Sequence, residues 1–161
     1  MEKNRKLALI DTTALSMLWQ AADFCNPICQ KNKNCLSVTP HTGEVSLRVN
    51  PDSIFQALIN LIINANRHTK EGNIRLAIQT GPENGFVTVS VSDDGEGIDP
   101  ERLPDLFQRG TSGDGSSGIG LPICKEIVEE HGGRIWITSK KGKGTVVRFT
   151  LPISKGEQQD E

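Results

Sequence analysis

No stretch of this 161-residue sequence approaches the roughly 18 consecutive apolar residues that a membrane-spanning helix needs. Residues 1–6 are mostly polar and lack the apolar segment of a signal peptide. The formal charge is only −2, so the basic excess typical of nucleic-acid binding is missing as well. These absences predict a cytoplasmic domain that contacts neither membrane nor nucleic acid, whether or not it belongs to a larger membrane-anchored protein.

Cysteine is scarce, with four in the chain at Cys25, Cys29, Cys35 and Cys124. The first three are spaced C-x3-C-x5-C, which lacks both the C-x2-C of a zinc knuckle and an adjacent histidine. Cys25 and Cys29 lie one helical turn apart on an apolar stripe, and Cys35 begins a strand-like run. We therefore predict reduced cysteines packed in the core, with a metal or redox role as the alternative.

Length and composition, 35% apolar and 24% charged, predict one domain at residues 7–153. Residues 1–6 are predicted to be frayed and residues 154–161 to form a disordered tail. Pro27 is expected to kink or shorten the first helix, and Leu36–Val38 is expected to pair with Val45–Val49. Hydrophobic periodicity predicts helices at 14–30, 51–68 and 122–130, and strands at 7–10, 36–38, 45–49, 74–79, 86–92, 135–139 and 145–151.

The strand predicted at Phe86–Ser92 ends at a carboxylate. Its three valines alternate with polar residues, and the same alternation places Asp93 on the valine face. A carboxylate buried there needs a partner, because burying it unpaired is costly. The sequence Asp-Gly-Glu-Gly that follows at 94–97 lets a ligand approach the backbone closely, although Asp-Gly also suits a simple hairpin turn.

A polar stripe runs along the helix predicted at 51–68. Its members are Asn60, Asn64, Arg67 and His68, which share a face distinct from the apolar one. Asparagine is a poor helix former because its side chain competes for backbone hydrogen bonds. Solvated helix faces usually carry Glu, Lys and Gln instead, so the stripe is predicted to face a ligand.

A glycine-rich loop at 110–118 leads into the third helix and is predicted to form a mobile lid. Free N–H groups and the helix dipole at such a helix start favour a phosphate, and asparagine oxygen suits magnesium. A buried aspartate suits an amino group such as that of adenine. Together these features predict an ATP–magnesium site, although the Walker loop and the V-A-I-K, H-R-D and D-F-G motifs of protein kinases are absent.

Five motifs resemble, in family order, those of the Bergerat-fold (GHKL) ATPases, and most of all those of sensor histidine kinases. They are an N box at 56–69, a first glycine box at 93–98, an F box at 106–110, a second glycine box at 118–121 and a closing Gly-x-Gly-Thr at 142–145. The resemblance covers about residues 50–152. It implies an α+β two-layer sandwich with a mixed, mostly antiparallel sheet, helices on one face and a short flexible ATP lid.

The resemblance also implies roles for individual residues. Asn64 would ligate magnesium, Asp93 would accept from the adenine amino group, and His68 would lie near the adenine or sugar, where the family often has tyrosine. The phosphate side would be formed by Asn60, Arg67, Gly118, Ile119, Gly120 and Leu121. The other implied ATP-binding residues are Gly95, Gly97, Ile98, Thr111 and Thr145.

Asn60 separates the branches of the family. Gyrase, MutL and the heat-shock chaperones carry a glutamate there that activates water, and the anti-sigma-factor kinases also carry an acid. Asparagine cannot act as a base, whereas an imidazole attacks phosphorus through its own lone pair. The resemblance therefore implies a histidine kinase that transfers the γ-phosphoryl group of ATP to a histidine.

None of the three histidines, His41, His68 and His131, has the context of the family's phosphorylated histidine. We therefore assign no catalytic residue here and expect the acceptor on a dimerisation domain of the parent kinase, with a response regulator downstream. The isolated chain is expected to be a monomer. An anti-sigma-type serine kinase and a nucleotide-binding regulatory scaffold are the alternatives.

Overall fold

The computed structural model describes residues 8–39, 44–80, 85–107 and 120–154, which form a layer of helices against a sheet. No helix in these ranges is long and apolar enough to cross a membrane. In chain order the elements are β1 (Ile10–Thr13), α1 (Ala14–Lys31), β2 (Cys35–Val38), β3 (Ser46–Val49), α2 (Pro51–Arg67), β4 (Asn73–Thr80), β5 (Phe86–Asp93), a 3-10 helix (Leu103–Asp105), α3 (Gly120–Glu130), β6 (Ile135–Lys140) and β7 (Gly144–Pro152).

The main sheet has the strand order β2-β4-β5-β7-β6. Only β2 and β4 are parallel; the other neighbours are antiparallel. A second, two-stranded sheet pairs β1 with β3, and a bridge from Leu47 to Ile153 connects it to the end of β7. The predicted mixed, mostly antiparallel sheet is confirmed.

One face of the sheet forms the core with the helices, among which α2 contacts both α1 and α3. The predicted apolar stripe of α2 is buried as expected. The alternating strand residues that complete the core are Ile74, Leu76, Ile78, Val87, Val89, Val91, Val147, Phe149 and Leu151. The predicted two-layer α+β sandwich with helices on one face is therefore confirmed.

Helix α1 runs through Pro27 and ends four residues later, at Lys31, so the predicted early end is wrong. Proline removes the hydrogen bond to the carbonyl of Asp23. Both Pro27 and Asp23 are exposed, so water can satisfy that carbonyl. Cys25 and Cys29 remain fully buried on the opposite side, and their packing stabilises the helix beyond the proline.

The predicted pairing of Leu36–Val38 with Val45–Val49 is wrong. Strand β2 pairs with β4 in parallel, which places Leu36 beside Ile74 in the core-facing row. Strand β3 pairs instead with β1, which lies at Ile10–Thr13 and not at the predicted 7–10. Hydrophobic pattern identified the strands but not their partners, because neighbouring segments need not form a hairpin.

The cysteine prediction holds for three residues and fails for one. Cys25, Cys29 and Cys124 are buried, and burial raises the pKa of Cys25 to about 11 and that of Cys124 to about 12. Their thiols therefore stay protonated at neutral pH. Cys35 is exposed, because strand alternation places it opposite Leu36. Within the described ranges, no group of three or more His, Cys, Asp or Glu residues could hold a metal ion.

The start of α2 is fixed by polar contacts. The Asn50 side chain accepts from the Ser53 N–H at 2.9 Å and so caps the start of the helix. The Asn50 N–H in turn donates to Nε2 of His131 at 3.0 Å, which ties this end to α3. At the chain's other end, Ser154 was assigned to the tail, yet it is buried and its N–H donates to the Ser46 carbonyl. The packed part of the chain therefore extends to Ser154.

The core prediction can be tested at Leu58, which is fully buried in α2. We expect Leu58→Ala to lower the free energy of unfolding by about 2–5 kcal/mol, because it leaves a cavity beneath the sheet. Urea unfolding measures this change. Gln56→Ala, on the exposed side of the same helix, should change it by no more than about 0.5 kcal/mol. Equal effects would contradict the assigned burial.

Candidate functional site

The candidate site begins where the apolar row of the sheet becomes polar. Asp93 at the end of β5 pairs with Thr145 at the start of β7, which pairs with Ser139 near the end of β6. All three continue the alternation of the core-facing residues. The predicted placement of Asp93 on the valine face is thus observed, and the side chain is only partly exposed.

Asp93 is held in an environment that opposes its charge. Burial raises the pKa of its carboxyl group, and the nearby carboxylate of Asp94 acts in the same direction. The Gly95 N–H donates to Oδ1 at 2.9 Å and, with the Thr69 hydroxyl and His68, offsets part of this rise. A partly buried carboxylate with a raised pKa is typical of a functional site.

Asp94 has the opposite environment although it is adjacent in sequence. Its carboxylate accepts from the Asn73 backbone N–H at 2.8 Å and from the Asn73 side-chain amide at 3.0 Å. These bonds lower its pKa. Asp94 therefore anchors the loop to the start of β4, and Asp93 is the carboxylate left to meet a ligand.

The loop after Asp93 needs glycine because backbone occupies the space of the missing side chains. A Cβ atom at Gly95 would overlap the His68 carbonyl oxygen and lie 2.6 Å from Oγ1 of Thr69. Gly97 has φ +77°, and a Cβ atom there would overlap the Lys140 carbonyl. The two glycines therefore admit a close approach of the protein's own backbone, and the approach of a ligand to this loop stays a prediction.

The polar stripe of α2 reaches this corner at its C-terminal end. Nδ1 of His68 lies 3.0 Å from Oε2 of Glu96, in the glycine loop. Asn60 and Asn64 are half-buried and Arg67 is exposed. Asn60 lies against Cys124 of α3 and partly offsets the rise in the pKa of that thiol. The asparagines thus lie on the α3 side of α2.

Three residues that support this corner were missed. The Asn34 side-chain amide donates to Oδ1 of Asn66 at 2.7 Å and to the carbonyl of Thr69 at 2.8 Å, and Oδ1 of Asn34 accepts from the Gly72 N–H at 3.0 Å. The Thr69 hydroxyl is buried without a hydrogen bond to any described residue, although it helps to lower the pKa of Asp93. A single buried polar residue hardly changes the hydrophobic periodicity of its segment. Only a search for polar residues at predicted core positions could have found these three.

Ser139 was also missed. Its hydroxyl oxygen lies 2.9 Å from the Ile98 nitrogen, the Gly144 carbonyl oxygen and Oγ1 of Thr145. It therefore connects the glycine loop to the hairpin of β6 and β7. Alternation of side chains along β6 could have predicted its position, because Ser139 follows Ile135 and Ile137 on the core-facing side of the strand.

Residues 49–155 match the family described as histidine kinase-, DNA gyrase B- and HSP90-like ATPases. The chain belongs to this family. Membership implies ATP binding. The catalytic domain of histidine kinase ThkA has the same fold, with a TM-score of 0.80 at 25% identity over 91% of this chain and 96% of that one.

Its relatives among well-described proteins include the sensor histidine kinase WalK of Bacillus subtilis, 40% identical over 73% of this chain. The sensory kinase SasA of Synechococcus elongatus is 34% identical over 76% of this chain. The chain spans 20% of WalK and 33% of SasA, so it corresponds to a minor part of each. ThkA has also been seen in complex with the response regulator TrrA, a structure 22% identical to this chain with a TM-score of 0.78.

Part of the predicted nucleotide site lies outside the described residues: the predicted lid and, with it, Thr111, Gly118 and Ile119. Gly120 begins α3, and Leu121 beside it is buried. Leu106 and Phe107 of the F box pack against the core. Among the described residues, the structure brings together Asp93, the glycine loop that follows it and the C-terminal end of α2.

Another pocket, of about 560 Å³, lies at the opposite end of β7, lined by residues that include Pro152 and His131. Its polar groups largely bond one another: Asp11 contacts Arg48 and Ser154, each at 3.2 Å. The ring nitrogens of His131 both contact backbone atoms. This pocket therefore offers few free polar groups to a ligand, and the candidate site remains the region around Asp93.

The glycine requirement can be tested in this ATPase domain with two alanine substitutions. Gly95→Ala should lower the free energy of unfolding by about 3 kcal/mol, because the new methyl group overlaps backbone that cannot rotate away. Gly142→Ala meets no atom within 4 Å and should cost only about 1 kcal/mol, from its φ of +84°. Chemical unfolding of both variants gives the comparison, and a larger loss for Gly142→Ala would refute the steric assignment.

Proposed function

We propose that this chain is the ATP- and magnesium-binding catalytic domain of a sensor histidine kinase. It transfers the γ-phosphoryl group to a histidine on a dimerisation domain of its parent. The observation that carries this proposal is Asn60, which lies one helical turn before Asn64 on the partly buried side of α2 facing α3. A family member that hydrolyses ATP through a base needs a carboxylate at this place.

The Asp93 corner suits the nucleobase. An ionised carboxylate accepts hydrogen bonds only, so Asp93 fits an amino donor such as that of adenine. Its raised pKa supports this role, because a donor that binds the charged form relieves the cost of burial. Gly95, Gly97 and Ile98 shape the adjoining loop. Thr145, the cross-strand neighbour of Asp93, completes the base-binding group.

We assign the phosphate groups of the nucleotide to the N box and the second glycine box. Asn64 provides an amide oxygen, which is a suitable ligand for magnesium. Bound magnesium would neutralise phosphate charge. Asn60 and Arg67 lie on the same stripe, and His68 is held by Glu96 beside the loop. The segment Gly118–Leu121 with Thr111 would enclose the phosphates.

The chemistry follows from what Asn60 cannot do. A water or serine nucleophile must lose a proton to a base, and an amide is not basic. A neutral imidazole attacks with its own lone pair, so the site needs only to position the γ-phosphoryl group and stabilise its charge. Phosphoryl transfer to histidine with slow hydrolysis is the expected outcome.

The partners follow from this reaction. The immediate partner is the dimerisation domain that supplies the histidine, and the next is a response regulator that receives the phosphoryl group. The complex of ThkA with TrrA supports the second partner by analogy. We place the domain in the cytoplasm as a monomer in isolation, with no role for membrane or nucleic acid in its own contacts.

Nucleotide binding is tested by calorimetric titration with a non-hydrolysable ATP analogue. Asp93→Asn should weaken binding about tenfold or more, because a charged acceptor is replaced by a neutral amide, of which only the oxygen can accept. Acidification should weaken binding to the unchanged chain from a pH above the ordinary aspartate pKa of 3.8, because the raised pKa lets Asp93 protonate earlier. The ratio of the two affinities isolates this effect, since the nucleotide titrates identically with both proteins.

Two matched controls complete the titration. Asp23→Asn makes the same chemical change on the exposed side of α1 and should leave binding unchanged. Asn64→Ala should abolish the gain that magnesium gives, while Asn26→Ala on α1 should keep it. No binding by the unchanged chain would contradict the proposed function and favour a scaffold whose nucleotide site is degenerate.

The choice between transfer and hydrolysis is tested at position 60. Asn60→Glu places a carboxylate where the hydrolysing branches carry one and should raise steady-state ATP hydrolysis by at least about tenfold. Asn60→Gln has similar size without basicity and should leave hydrolysis slow. Phosphate release measures both rates.

The unchanged chain, incubated with radiolabelled ATP, should carry no acid-labile phosphate, since we assign it no acceptor histidine. Label on the chain itself would contradict that assignment. Acid-stable label on a serine of a co-purified partner would favour the anti-sigma-type alternative.

A further inference from the structure

The hydroxyl group of Ser139 has three polar neighbours at the same distance. Its oxygen lies 2.9 Å from the Ile98 nitrogen, the Gly144 carbonyl oxygen and Oγ1 of Thr145. A serine hydroxyl offers one hydrogen and two lone pairs. Three neighbours therefore use its whole hydrogen-bonding capacity, and the direction of each bond can be worked out.

Two of the three directions are fixed by the partner. The Ile98 N–H can only donate, so it occupies one lone pair of Ser139. The Gly144 carbonyl can only accept, so it takes the single hydrogen of Ser139. The remaining lone pair faces Thr145, which must donate its own hydroxyl hydrogen to Ser139. Any other arrangement would bring two oxygen atoms to 2.9 Å with no hydrogen between them.

With its hydrogen committed, Thr145 can offer only lone pairs to a ligand. Its neighbour across the strands is Asp93, whose ionised carboxylate also only accepts. The two side chains lie on the same face of the sheet, at the end assigned to the nucleobase. This end therefore presents a row of acceptors with no donor among Asp93 and Thr145.

We propose that Ser139 is a positioning residue that determines base specificity by holding the Thr145 hydroxyl hydrogen away from the ligand. The site then favours a base with an amino group over one with a carbonyl oxygen at the same place. Adenine and hypoxanthine differ in this way at carbon 6, where the amino group of adenine is a carbonyl in hypoxanthine. Nitrogen 1 differs in the opposite sense, since it accepts in adenine and carries a hydrogen in hypoxanthine, so a fall in the preference for adenine on release of the hydroxyl reports contact with the carbon 6 group, and a rise would overturn the inference. The inference rests on the proposed binding of ATP at Asp93.

The size of the preference for an amino group over a carbonyl oxygen follows from the acceptors that the carbonyl leaves unpaired. A carbonyl oxygen facing Asp93 and Thr145 meets lone pairs on both, and sites built to bond a donor reject ligands that lack it. If the Thr145 hydroxyl were free to rotate, it could donate to that oxygen and restore one hydrogen bond. Release of the hydroxyl should therefore improve binding of the hypoxanthine nucleotide relative to the adenine nucleotide.

The test compares the affinities of ADP and inosine diphosphate by calorimetry at pH 8. The unchanged chain should prefer ADP. Ser139→Ala should reduce the ratio of the two affinities by about fivefold, the equivalent of one neutral hydrogen bond. Ser139→Thr keeps a hydroxyl at this place and should restore the ratio. Thr138→Val, which alters the opposite face of the same strand where Arg148 contacts Thr138, should leave the ratio unchanged.

A merely structural role for Ser139 predicts a different result. Loss of the bond to Ile98 would loosen the glycine loop and weaken both nucleotides by the same factor, with the ratio unchanged, which would overturn the inference. In a Thr145→Val background, Ser139→Ala should no longer alter the ratio, because no hydroxyl remains to be released. A further change in that background would also count against it.

The outcomes separate this inference from the function on which it rests. If Ser139→Ala fails to fold, Thr145→Val alone tests the same acceptor and should also reduce the preference for ADP. Binding of ADP with a ratio that no variant changes would overturn the role of Ser139 and keep the nucleotide site. No binding of either nucleotide by the unchanged chain would overturn both.

Discussion

The backbone of Glu96 is hydrogen-bonded on both sides, and the candidate site depends on these two bonds. Its N–H donates to the His68 carbonyl at 3.2 Å, at the end of α2, and its carbonyl accepts from the Gly142 N–H at 2.6 Å, in the turn between β6 and β7. The loop after Asp93 is thereby fixed between a helix and a hairpin. Glycine is needed on both sides of Glu96, because the carbonyl groups of His68 and Lys140 occupy the space of a Cβ atom at Gly95 and Gly97. The position of Asp93 is consequently set by backbone and not by flexible side chains.

The helix side of this support is itself held by buried amides. Asn34 and Asn66 are 3% and 7% exposed, burial that would be costly if their hydrogen bonds were unmade. The Asn34 amide bonds Asn66, Thr69 and Gly72, so α1, α2 and β4 meet at one satisfied polar group. Asparagine in a helix is locally unfavourable, and here the compensation for Asn66 is tertiary. Asn60 and Asn64 lie on the side of α2 that faces α3, away from this network, and the proposed function makes a bound nucleotide their compensation.

Local sequence patterns were enough to predict features that depend only on residues close together in the chain. Alternation placed Asp93 on the buried face of the sheet, next to the valines of β5. Strand partners could not be predicted in the same way, because β2 finds β4 across a long stretch of chain and the pairing is set by the whole sheet. Pro27 misled for a related reason, since packing of the buried side of α1 outweighs one lost hydrogen bond. Asn34 escaped because a single polar residue has no period and its partners are distant in sequence. Alternation places Ser139 on the core-facing side but cannot predict its contact with the distant Ile98.

The two neighbouring carboxyl groups explain why the site is better suited to a bound state than to an empty one. The raised pKa of Asp93 means that its protonated form favours folding, and this contribution is lost as pH rises through the raised value. The lowered pKa of Asp94 works the other way: its contribution is present above the ordinary value of 3.8 and is lost as pH falls through the lowered value. At neutral pH, therefore, Asp94 stabilises the loop while ionised Asp93 carries a desolvation cost in the same loop. A hydrogen-bond donor that meets Asp93 removes that cost, so part of the affinity for such a ligand comes from relief of an unfavourable free state.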